Sequence, residues 1–323
     1  MNKKKFIHIL KIILINIVLL CLFGIICEIL FYNLYKIKYA DELEVLKKEN
    51  MMQNIRYTKP LVYNYNLSKR QFRTYKGTSS KRPIIFLGCS YIFGSFLNKN
   101  QVLAAKVNKL TNRTTYRRGI CGVGIKEILD QLATGVLKKE IPDAEYIIYT
   151  YIDPHITRLY SYQIYNFITY IPMRYKLEND RLVKLPEPKF KILYSLFSVK
   201  LIQYVLADIN ESHERSQNFP LFLTIMEECM KYFKEQYPNT KIVVLLYPSV
   251  LYADLKRGSA DDFSILPTNV VEYLEDLGYI VINAEDLTDE PIRTVEYRTV
   301  DGDHPNEKAW DAVAPGLVKK LNL

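Results

Sequence analysis

Four short apolar runs, at residues 83 to 88, 145 to 152, 241 to 247 and 279 to 283, recur along the chain from Pro83 onward with helix-length stretches between them. The run Lys241-Ile242-Val243-Val244-Leu245-Leu246-Tyr247 is apolar at every position after its lysine, which implies burial on both faces. A strand buried on both faces needs a layer on each side, and helices joining successive parallel strands supply those layers. The pattern predicts an α/β fold with a doubly wound, mostly parallel sheet. Its helices are expected at 100 to 110, 124 to 139, 221 to 236, 267 to 277 and 306 to 321. In such sheets a ligand site opens beyond the carboxyl ends of the strands.

Ser90 and the 151 to 155 loop fall on that edge, and two segments of the chain carry chemistry. The first strand closes in Gly88-Cys89-Ser90-Tyr91-Ile92-Phe93-Gly94, and near the C-terminus the chain reads Asp301-Gly302-Asp303-His304-Pro305-Asn306. Hydrolysis through a serine needs a hydroxyl that a neighbouring imidazole can deprotonate, and a carboxylate that fixes the imidazole's tautomer. Ser90, His304 and Asp301 supply those parts. Asp301 is preferred to Asp303 because a three-residue offset can bring a carboxylate back to the imidazole Nδ1. Each residue also has a plainer reading: Ser90 as a helix cap, and His304-Pro305-Asn306 as a helix start with Asn306 as its cap. Cys89 as a thiol nucleophile is the weaker alternative to Ser90, a buried thiol being its ordinary state.

Together these blocks resemble the SGNH/GDSL hydrolase family, in which a Gly-Asp-Ser block comes early and an Asp-x-x-His block comes last. Cys89 stands where the family name has Asp. The resemblance covers roughly residues 81 to 323 through four short blocks, and it implies a flavodoxin-like sheet, a serine esterase activity and no cofactor. It also implies an oxyanion hole formed by the backbone N–H of Ser90 and by Gly122, in Gly119-Ile120-Cys121-Gly122-Val123-Gly124. The family's third block holds an oxyanion Asn, whereas this chain has Tyr151-Ile152-Asp153-Pro154-His155. A deprotonated Asp153 cannot donate to an oxyanion, so His155 is the candidate for a third donor or substrate clamp, against capping a helix or packing beneath the insertion that follows. Pro154 is expected to hold Asp153 extended.

Residues 12 to 27 are apolar except for Asn16, and after Glu28 the run resumes through Ile29-Leu30-Phe31-Tyr32, long enough to span a bilayer. Lys3, Lys4, Lys5 and Lys11 precede it, which by the positive-inside bias puts the N-terminus in the cytoplasm and the bulk of the chain outside. A cleaved signal peptide is the rival reading, but no small-x-small site follows Phe23. The expected organisation is a flank and membrane anchor at 1–38, a stalk or linker at 39–80, and a hydrolase domain at 81–323 interrupted by an insertion at about 156–220. That insertion is rich in tyrosine and contains a hairpin turning at Asn179-Asp180. Tyrosines stack on sugars and pack on lipid, and equally on each other.

The net charge of +9 is spread without basic runs interleaved with aromatics, which gives no sign of nucleic-acid binding. Five cysteines form no Cys-x-x-Cys, and no His-x-x-x-His occurs, so no metal is expected. The chain therefore reads as an ester hydrolase acting outside the cytoplasmic membrane on an acylated carbohydrate or lipid. An O-acyltransferase for an envelope polysaccharide, or a non-catalytic polysaccharide-binding or assembly protein that keeps the fold, are its alternatives.

Overall fold

The computed structural model describes residues 22–27, 29, 30, 33, 72–120, 123–159, 174–179, 181–185, 219–248, 266, 268–299 and 303–323. Among the described residues there are eight strands: β1 (Arg73–Tyr75), β2 (Ile84–Gly88), β3 (Thr115–Gly119), β4 (Tyr146–Tyr151), β5 (Arg174–Glu178), β6 (Arg181–Leu185), β7 (Lys241–Leu246) and β8 (Ile280–Asn283). The main sheet runs in the order β1-β3-β2-β4-β7-β8. All its neighbours pair in parallel except β1, which lies antiparallel on β3. From β2 the chain goes to β3 on one side and then crosses to β4 on the other, so the carboxyl end of β2 is the point where the strand order reverses.

Period-two burial explains how one sheet serves two cores. Ile84 and Phe86 of β2, Tyr146 and Ile148 of β4, and Val243 and Leu245 of β7 face one core, which also holds Leu103 and Val107 of α2 (Leu103–Thr111) and Trp310 and Val313 of α8 (Glu307–Leu321). Ile85, Leu87, Ile147, Tyr149, Val244 and Leu246 face the other. There they meet α3 (Ile125–Ala133), α6 (219–236) and α7 (Thr268–Asp276). Each fully buried aliphatic side chain stabilises the fold by about 1.5–3 kcal/mol, so both faces contribute.

Several elements differ from the sequence-based expectation. Strand β3 was not expected, because Thr115-Tyr116-Arg117-Arg118-Gly119 has two adjacent arginines where a buried strand should be apolar. Aromatic neighbours resolve the conflict. Arg117 lies over the Phe93 ring at 4.9 Å and donates to the Phe93 carbonyl, while Arg118 lies over Phe72 at 4.0 Å and pairs with Glu140. Strand β1 falls inside the stretch read as linker, so the folded unit reaches back to about residue 72. The single helix expected at 124 to 139 is two, α3 and α4 (Val136–Glu140), parted at Gly135 with φ +65°. The hairpin in the insertion is present as β5 and β6, with Asn179 left-handed at φ +49° between them.

Residues 22–27, 29, 30 and 33 are helical. Among the described residues no helix is long and apolar enough to cross a membrane. The remainder of the expected span, and most of the expected stalk, lie outside the described residues.

Candidate active site

The nucleophile candidate sits where the chain leaves β2. Gly88 allows the exit, because a Cβ there would lie 2.9 Å from Ile92 Cγ1. Cys89 follows as the N-cap of a single helical turn, α1 (Ser90–Phe93). That turn sits directly on the end of β3, since a Cβ on Gly119 would lie 2.1 Å from the Phe93 backbone nitrogen. Cys89 is fully buried, whereas Ser90 keeps 7% exposure. As the first helical residue, Ser90 has a backbone N–H with no acceptor inside its own turn.

His304 arrives from the far end of the chain on a segment that is tied down at both sides. Arg298 and Pro305 form an isolated antiparallel bridge, and Thr299 N–H donates to the His304 carbonyl at 2.8 Å. Asn306 caps α8 by accepting from Ala309 N–H at 3.1 Å, and its amide donates back to the carbonyls of Glu296 and Arg298. The expected cap is therefore present beside the candidate base. The imidazole packs against Tyr91 and Phe96, and its Nε2 lies 2.7 Å from Ser90 Oγ. Two residues 214 positions apart are thus in hydrogen-bond contact at the carboxyl edge of the sheet.

Other candidates fall elsewhere. Asp301, Cys121 and Gly122 lie outside the described residues. The Asp303 carboxylate accepts from Tyr91 OH at 2.6 Å. His155 is buried in the packing between β4 and the start of α3: its ring stacks on Tyr149 and meets Tyr151 edge-on, and its backbone and Cβ lie against Gly124. Its Nδ1 is 2.6 Å from Tyr149 OH. Burial raises the Tyr149 pKa well above the ordinary tyrosine value, so the hydroxyl donates and Nδ1 accepts. The proton of the neutral ring is then on Nε2, which has no hydrogen-bond partner among the described residues. Burial, and then the nearby Arg158 charge, hold the His155 pKa well below the usual histidine range.

Asp153 is not extended as expected before Pro154; its angles of φ −52° and ψ −41° are right-handed helical. The bonds His155 N–H to Ile152 and Ile156 N–H to Asp153 form a compact turn that opens α5 (Pro154–Thr157), and they override the local preference set by the proline. Just past α5, Arg158 donates to the Val123 carbonyl at 3.0 Å, and Lys126 donates to the Arg158 carbonyl. Glu127 accepts from Gly124 N–H at 2.7 Å, so the chain entering α3 is held from two sides. Burial raises the Glu127 pKa and lowers that of Lys126. Sequence reasoning missed Tyr91, Phe96 and Arg298 around His304. Only the adjacency of Tyr91 to Ser90 could have signalled any of them. Among the described residues no group of three His, Cys, Asp or Glu side chains is placed to hold a metal ion.

No family model matches this chain, and no curated protein does. Solved structures do. A member of the lipolytic protein G-D-S-L family from Veillonella parvula is 10% identical with a TM-score of 0.41, over 74% of this chain and 98% of that one. A lipase/acylhydrolase from Enterococcus faecalis is 12% identical with a TM-score of 0.37, over 74% and 95%. A carbohydrate esterase family 2 enzyme with a carbohydrate binding domain, from Corynascus thermopiles, is 12% identical with a TM-score of 0.41, over 76% and 67%. The solved structures similar to this chain thus include lipolytic proteins of the G-D-S-L family.

Proposed function

We propose that the protein is a serine ester hydrolase of SGNH/GDSL type. The observation that carries this reading is the 2.7 Å contact of Ser90 Oγ with His304 Nε2, at the point where the strand order reverses. In this mechanism His304 takes the Ser90 proton as Oγ attacks the ester carbonyl. The tetrahedral oxyanion is held by the N–H groups of Ser90 and Gly122, each worth on the order of 3 kcal/mol. His304 returns the proton to the departing alcohol, and water repeats the sequence on the acyl-enzyme. Asp301 is assigned the orienting carboxylate, which accords with Asp303 being engaged by Tyr91.

Acylated carbohydrate or lipid is the proposed substrate class, on the strength of the tyrosine-rich insertion. With a sugar hydroxyl in place of water the same chemistry is O-acyl transfer. Purified protein should hydrolyse short activated acyl esters. Ser90→Ala should lower kcat by at least about 10⁴-fold, as expected when a nucleophile is removed from a working triad. Equal rates in the two proteins would refute the serine mechanism.

The reading includes an uncleaved N-terminal anchor, with the N-terminus inside and the catalytic domain outside the cytoplasmic membrane. It is supported by the basic start, the apolar run and the exposed apolar side chains Leu22, Phe23, Ile25, Ile26, Ile29 and Leu30.

A further inference from the structure

We propose that Tyr91, Asp303 and Arg298 form a strut that sets the distance between Ser90 and His304, an inference that rests on the hydrolase reading. Tyr91 follows Ser90 in α1, and Asp303 precedes His304. The Tyr91 hydroxyl lies 2.6 Å from Asp303 Oδ1 and 2.9 Å from the Asp303 carbonyl oxygen. The nucleophile and base are therefore joined in parallel with their chain neighbours, and the two segments cannot separate without breaking the second connection.

Arg298 braces that connection from behind. It is 5% exposed, donates through Nη1 to the Asp303 carbonyl at 2.8 Å, and through Nη2 to the Pro248 carbonyl at 2.7 Å, just beyond β7. Its guanidinium lies over the Tyr247 ring at 5.6 Å, and that ring meets Tyr91 edge-on with centroids 5.5 Å apart. Chain beyond β2, chain beyond β7 and the base-bearing segment are thus fastened at the Asp303 carbonyl. Burial first, then the Asp303 charge, raise the Tyr91 pKa well above the ordinary tyrosine value, so its hydroxyl stays a donor.

Proton transfer from Ser90 depends on a hydrogen-bond separation that a small shift of the His304 segment would destroy, whereas substrate binding does not depend on it directly. Tyr91 and Asp303 are positioning residues, and their loss should appear in kcat and not in KM.

The test uses the full-length protein as wild type, Tyr91→Phe, Asp303→Ala and Asp303→Asn. Steady-state hydrolysis of p-nitrophenyl acetate, a urea unfolding midpoint and the NMR signals of the His304 ring are measured for each. Tyr91→Phe and Asp303→Ala should each lower kcat by about tenfold to a hundredfold, with KM within about twofold, the size of loss expected from misplacing a reacting group. Asp303→Asn, whose amide oxygen can still accept from Tyr91, should recover at least half of the logarithmic loss. Unchanged kcat in both Tyr91→Phe and Asp303→Ala would overturn the strut. So would equal losses in Asp303→Asn and Asp303→Ala at matched unfolding midpoints. A wild type without serine-dependent hydrolysis would instead refute the hydrolase reading. The strut is then judged on the NMR signals alone: a displaced His304 ring signal in Tyr91→Phe supports it, and an unmoved one overturns it.

Discussion

At the turn after β2, one residue decides which side chain meets His304. Cys89 goes into the core with Phe86 and Ile92, while Ser90 opens α1 against His304. A thiol so placed cannot serve as the nucleophile without rebuilding the turn. His155 illustrates the opposite outcome, a polar residue drawn inward. Its contacts with Tyr149, Tyr151 and Gly124 favour the packing role of the two roles its sequence position allowed. Because its folded pKa is depressed, the folded state resists a proton that the unfolded chain accepts below about pH 6.5. Stability is therefore fully present above that pH and falls as pH drops toward the folded value, at up to about 1.4 kcal/mol per pH unit. His155→Asn can keep an acceptor near Tyr149 but does not titrate, so urea unfolding from pH 7.5 to 5 should be flatter for it than for wild type. Parallel curves would show that His155 is not buried in its neutral form. The sequence could indicate His155 as a polar residue at a strand end. The direction it faces depends on the helical angles of Asp153, which the following proline argued against.

Among the elements, the contact between α1 and β3 brings Ser90 down onto the sheet. Gly119 ends β3 with the Phe93 backbone pressed against its α-carbon, and Gly88 pairs with it in register on β2. Gly119→Ala should destabilise the protein by about 2–4 kcal/mol, because a methyl group there meets backbone that has nowhere to go. A fall in the urea midpoint together with slower ester hydrolysis is the expected result. An unchanged midpoint would mean that α1 does not rest on β3. Strands β2, β4 and β7 were legible because each is apolar on both faces. Strand β3 was not, since its burial depends on Phe72 and Phe93 covering two arginines, partners distant or unmarked in sequence. The split between α3 and α4 was missed because the apolar period runs on through Gly135.

For the molecule as a whole, the alternation of apolar runs and helices led to the observed three-layer arrangement. The segments at the carboxyl end of β2 and before α8 meet across 214 residues. The strand order itself and the arrival of β1 at the edge were not readable, because they follow from long-range pairing and not from local period. If the N-terminal segment is an uncleaved anchor, membranes washed with alkaline carbonate should retain the full-length chain. A soluble exported product starting between about residues 27 and 45, where a signal peptidase would cut after such an apolar core, would show cleavage instead. Exposing the full-length protein to a fluorophosphonate and locating the adduct by peptide mass spectrometry shows whether Ser90 is an activated nucleophile. A single stoichiometric adduct should form on Ser90, absent in Ser90→Ala and strongly slowed in His304→Ala. An unlabelled wild type, or labelling that survives Ser90→Ala, would rule out an activated Ser90.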